Sequence, residues 1–192
     1  MKRFVVLSMV LIAICLFSLS AKDWSDSRIR LLAHASDSLA QSSQLRFHFI
    51  PSGNLVGEVK PIGYLGLGWK AADWLDIEPV LGWSFATDEP IVSVRVTPIW
   101  KDFWSWTDVE LNTTTHNGYW FSQVDYQLSR MIHIGVEGEG WGNFDHGNWS
   151  HGFGPDLLLR LKQMGIDLAV HYRTYQKESK PEFVMRIHFF FK

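Results

Sequence analysis

Three groups of residues in this sequence have the types and spacing that chemistry requires. The first is Asp145-His146 with His151, inside the Gly- and Asn-rich stretch Gly142–His151. A carboxylate beside an imidazole can orient it as a general base toward water, and two histidines offer nitrogen ligands to a metal. The second is His171-Tyr172-Arg173. On a strand its first and third residues share a face. The third is dispersed: Asp76, Glu78, Arg95, Asp108, Glu110, Asp125, Glu137, Glu139, Asp156, Arg160, His171, Arg173 and Arg186. With Arg46, Asp167, His48, His133 and His188 it sets nine carboxylates against five arginines. Arg pairs with carboxylates in bidentate fashion. Such a set brought together makes either a salt-bridged interior or a narrow, cation-preferring path.

The elements that carry these residues read as strands. From Leu45 onward the dominant period is two, as in half-buried β-strands. Leu75, Ile77, Pro79, Leu81, Trp83 and Phe85 alternate with Asp76, Glu78, Val80, Gly82 and Ser84. Ile132, Ile134 and Val136 alternate with His133, Gly135 and Glu137, and Phe183, Met185, Ile187, Phe189 and Phe191 with Val184, Arg186 and His188. Every member of the dispersed charge set falls on the polar parity. The pattern predicts about ten strands of roughly 9–12 residues, with eight as the smaller alternative, in an all-β antiparallel up-and-down barrel. Tight turns fall near Ala71–Asp73, Lys101–Phe103, Ser129–Arg130 and Gln163–Gly165. Longer connections fall near Pro51–Gly57, Asp88–Pro90, His116–Gly118, Gly142–His151 and Gln176–Pro181. An even strand count puts both termini at the short-turn end. Residues 21–44 form a lead-in in which Arg28, Leu31, Leu32, Ala35 and Leu39 have helical spacing. A short amphipathic helix, a flexible segment and an extra strand all fit it.

A soluble barrel alternates too, so two placements decide the side of each face. Lysines sit at turns and loops (Lys70, Lys101, Lys162, Lys177, Lys180) while the polar parity carries Arg. Trp69, Trp74, Trp100, Trp104 and Trp106 gather around two short turns, and Tyr119, Trp120, Trp141 and Trp149 flank the other end. Both placements predict a charged interior and two aromatic girdles around an apolar exterior. From Leu45 to Lys192 the chain resembles small bacterial outer-membrane barrels as an architectural class. That resemblance extends to the closing aromatic strand Phe183–Phe191, which Lys192 follows. It implies a bacterial outer-membrane location, lipid contact and a partner in the cell envelope. Asp145-His146 resembles the water-activating pair of omptin proteases, in a shorter chain without their second acidic pair. His171-Tyr172-Arg173 is similar to the His-x-Ser of lipid A 3-O-deacylases, with Arg173 where the serine nucleophile stands. The resulting expectation is a largely filled barrel serving as a structural or interaction protein of the envelope. A narrow channel and a membrane-embedded hydrolase are the alternatives.

Composition agrees with this. The chain of 192 residues is 15% aromatic with ten Trp, yet its mean hydropathy is near neutral (−0.04). Lys2 and Arg3, the apolar run Phe4–Phe17 and Ser18-Leu19-Ser20 predict a signal peptide over residues 1–20. The run is shorter than the ~20 residues of a spanning helix. Cys15 is the one cysteine, so neither a disulfide nor thiolate chemistry is expected. The net charge of −2 with no basic run argues against nucleic acid as a partner. No cofactor and no metal site is expected.

Overall fold

The computed structural model describes residues 28–39, 45–56, 61–175 and 178–191. The expected signal peptide, Cys15, Lys177 and Lys192 lie outside these. Eleven strands form a closed barrel: β1 (Arg28–Ser38), β2 (Leu45–Val56), β3 (Ile62–Ala72), β4 (Leu75–Ser84), β5 (Glu89–Trp100), β6 (Phe103–Asn112), β7 (Asn117–Gln127), β8 (Ile132–Asn143), β9 (Ser150–Leu161), β10 (Met164–Tyr175) and β11 (Glu178–Phe191). Each strand pairs antiparallel with the next. The ring closes by a parallel pairing of β1 with β11, from Arg28↔Val184 to Ala35↔Phe191.

The extra strand is thus the alternative that residues 28–38 adopt, rather than a helix. Arg28, Arg30, Leu32 and His34 make interior contacts, so the period is two. An odd number of up-and-down strands makes the first and last run the same way, which is why the closure is parallel. It also separates the ends expected together. Arg28 lies at the end of the barrel that bears the longer loops, and Phe191 at the end that bears the two-residue turns at 73–74, 101–102 and 162–163. Two expected loops are strand over their described residues. Pro51–Val56 continues β2, held by pairing of Ser52 to both Leu32 and Ile62. β11 begins at Glu178, with Pro181 opposite Tyr172. Their Gly, Asn, Ser and Pro content reads as loop, but pairing on both sides overrides that local preference.

Polarity is inverted relative to a soluble barrel. Arg95, Asp108, Asp125, Glu137, Glu139, Asp167, His171 and Arg186 are buried, while Leu65, Leu81, Val94, Val109, Val136 and Phe153 are exposed. Inside, Leu32, Ile50, Tyr64, Val80 and Ile91 pack as an apolar plug against the wall formed by β1–β5. The charged residues fill the space beside it. On the outer face of the seam, Ile29, Ile166, Met185 and Ile187 pack together.

Candidate functional site

The lumen is the place where the chain concentrates its charge, and it has three levels. At the loop end, Arg173 donates from Nη2 to Glu139 Oε1 and from Nε to Glu182 Oε2, both at 2.6 Å. Arg28 donates from Nε to Glu182 Oε1 at 2.6 Å and pairs with Glu139 as well. The Trp141 ring lies beneath both guanidiniums, 3.8 Å from Arg173 Cζ and 4.8 Å from Arg28 Cζ. Tyr119 Oη donates to Glu139 Oε2 at 3.0 Å. This group links β1, β7, β8, β10 and β11 across the barrel axis.

At mid-height, Arg186 Nη1 donates to Glu137 Oε1 and Oε2 at 2.6 and 2.7 Å and to Asp167 Oδ2 at 3.0 Å. Its guanidinium stands over the Phe121 ring at 4.5 Å. His171 Nε2 lies 2.6 Å from Glu137 Oε1. On the opposite wall Arg95 donates to Asp108 Oδ2 at 2.9 Å, with Glu78 Oε1 at 3.7 Å, and Tyr64 Oη donates to Glu110 Oε1 at 2.8 Å. A charge removed from water this far is tolerated only when it is paired and hydrogen-bonded. Glu139 at 1% exposure, Glu137 at 3% and His171 at 0% show that side chains, not solvent, occupy these two levels.

At the turn end the lumen opens into a cavity of about 220 Å³. His34, His48, Trp104, Trp106, Arg160 and His188 line it. His34 and His188 stack with ring centroids 5.2 Å apart and nitrogens 3.0 Å apart. Arg160 lies over Trp104 at 5.0 Å, and Arg46 pairs with Asp76 at 3.4 Å near the rim.

The dispersed charge set therefore comes together as one interior. It also recruits residues outside the predicted set: Arg28, Arg30, Tyr64 and Glu182. Glu182 was readable by carrying the alternation of β11 back two residues from Val184. Four aromatics placed in the girdles face the lumen instead: Trp104, Trp106, Tyr119 and, exposed at the loop-end rim, Trp141. Their parity is that of Asp108 and Glu139 on the same strands or across a pairing, so alternation decides against their position near strand ends.

The loop group does not converge. Asp145 Oδ2 pairs with His116 Nδ1 at 2.8 Å, bridging two loops. His146 is exposed, with its backbone N–H donating to Asn143 Oδ1 at 3.1 Å. His151 Nδ1 accepts from Trp120 Nε1 at 3.2 Å, and its ring stacks on Trp149. In the second group His171 and Arg173 are held by lumen carboxylates, while Tyr172 points outward and is exposed. No hydroxyl nucleophile is paired with either His146 or His171 among the described contacts. Compared with protein-family models and with curated proteins, the sequence matches none.

Proposed function

We propose that this chain is an outer-membrane β-barrel of a bacterial cell envelope. Its lumen is plugged, and it serves as a structural or interaction protein through its two ends rather than as a pore or an enzyme. The observation that carries this reading is the inverted polarity: apolar side chains exposed around the ring, charged ones buried within it. Such an exterior is stable against lipid and a liability in water. Exposed aromatics stand toward both ends, with Trp69, Trp74, Trp100 and Phe103 at the turns and Trp83, Phe85 and Phe144 at the loops. Rings of this kind suit the two membrane interfaces. The ion-paired loop end argues for a plug over a channel, and Asp145, paired with His116 rather than His146, argues against the expected hydrolase pair.

Gel mobility in SDS with and without boiling, alongside inner- and outer-membrane fractionation, tests the proposal. A heat-dependent shift in the outer-membrane fraction, with no conductance steps in planar bilayers, is expected. A soluble protein without a shift overturns the membrane reading, and stable conductance overturns the plug.

A further inference from the structure

On the β7–β10 wall, four carboxylates converge with less compensation than the rest of the lumen receives. The register explains how. Asp125 lies opposite Gly135, Gly135 opposite Asp156, and Asp156 opposite Ala169, two residues from Asp167. Gly135 is what brings Asp125 and Asp156 together: a Cβ there would sit 2.3 Å from Asp125 Oδ1. The Asp125 carboxylate thus fills the space of the missing side chain on the strand between the two acids. Glu137, Asp156 and Asp167 each offer an oxygen, and these oxygens lie within 4.8 Å of one another.

Compensation is incomplete there. Both oxygens of Asp125, Oδ1 of Asp156 and Oδ1 of Asp167 are buried without a hydrogen-bond partner. Asp125 is 0% exposed and Asp167 1%, so water does not substitute. Arg186 serves Glu137 and Asp167, and Gln123 serves Asp156 Oδ2 at 3.0 Å. Asp125 has neither. Buried, unpaired carboxylate oxygens demand a donor or a cation.

We propose that Glu137, Asp156 and Asp167, with Asp125 across Gly135 from Asp156, bind a hard divalent cation of the calcium class inside the barrel. The donor set is all oxygen, which favours Ca²⁺ or Mg²⁺ over the softer metals that take thiolate or imidazole. Ca²⁺ accepts about six to eight oxygen ligands in flexible geometry, whereas Mg²⁺ demands a near-octahedral shell and dehydrates reluctantly, so a dry carboxylate cluster favours Ca²⁺. Gln123 also lines the turn-end cavity, so the cluster adjoins that opening and the ion enters from there. The proposal concerns the lumen and does not depend on what surrounds the barrel.

The test uses the full chain refolded in detergent and treated with EDTA. Calcium chloride is titrated in while thermal unfolding is followed by tryptophan fluorescence, with calorimetry for stoichiometry. The expected result is a rise of several degrees in midpoint at one ion per chain, with a smaller rise for magnesium. Asp156→Asn and Asp167→Asn abolish the rise, and Asp145→Asn, an exposed loop carboxylate, retains it. If EDTA and calcium leave the wild-type midpoint unchanged, the site is overturned. If Asp125→Asn also raises that midpoint, the cluster is held together by protons, not by a metal. The wild-type titration decides even where a variant does not refold.

Discussion

Replacing Arg186 by Met asks whether the lumen is a dry, ion-paired interior. The Arg186 side chain is 3% exposed. It serves Glu137 through two hydrogen bonds, Asp167 through one and Glu139 through one at 3.3 Å. Methionine keeps much of the stem volume and removes every donor. Glu139 still holds Arg28 and Arg173. Glu137 keeps only His171, and Asp167 loses the single guanidinium it has among the described residues. Leaving buried carboxylates uncompensated costs roughly 3–5 kcal/mol. Arg173→Met is milder, because Glu139 and Glu182 both retain Arg28, and about 1.5–3 kcal/mol is expected for lost charged hydrogen bonds. Arg28→Met is milder still. Its side chain is 26% exposed, and water takes over part of its role, for a cost of about 1 kcal/mol. Urea unfolding of the refolded chain, read by tryptophan fluorescence at constant m-value, ranks the three. Adding Glu137→Gln to Arg186→Met should recover part of the loss. A cost below about 1 kcal/mol for Arg186→Met would falsify the dry, ion-paired interior, since water or a bound proton would then be replacing the guanidinium.

Three further outcomes are expected. Val109→Arg, outward and midway along β6, should cost about 2–4 kcal/mol in lipid vesicles if, as proposed, this face meets a bilayer and the charge falls near its midplane; an unchanged midpoint there would place this face in water. Gly154→Ala sets a Cβ 1.7 Å from Val170 O, a backbone atom that cannot yield without breaking the β9–β10 pairing, so no heat-modifiable species should form. Lys101→Gly in the β5–β6 turn relieves a left-handed backbone with φ 56°; the unfolding midpoint should rise by the equivalent of about 1 kcal/mol, and a fall would show that the Lys101 side chain matters more than its backbone.

The barrel was legible because its strands alternate for most of the chain. Asp76 and Glu78 with Leu75 and Ile77, or Asp167 with Ile166 and Leu168, announce their faces without any knowledge of neighbours. β1 was not legible in the same way. Arg28, Leu31, Leu32 and Ala35 fit a period of 3.6 about as well as two, and only pairing with β2 and β11 selects the strand. The aromatics failed for a different reason. Trp106 and Trp141 sit near strand ends, which suggests an interface, but parity turns both inward. The convergence of Asp125 with Asp156 depends on register across Gly135. Register is a tertiary property that spacing along the chain does not encode.

The odd strand count gives the filled lumen a structural purpose. Parallel pairing is somewhat weaker per residue than antiparallel, and the β1–β11 seam is the one parallel pairing in the ring. β1 is held from the inside by strands that are not its sheet neighbours. Arg28 reaches Glu139 on β8, and Arg30 lies over Tyr119 on β7 at 5.9 Å. Leu32 packs with Val80 on β4 and Ile91 on β5, and His34 meets Trp106 on β6 at 6.5 Å. Successive inward residues of this one strand thus touch five other strands across the axis. A water-filled pore would remove those ties and leave the seam to its backbone bonds alone. The same residues that close the ring therefore occupy the path through it, which supports the proposed plug over a channel.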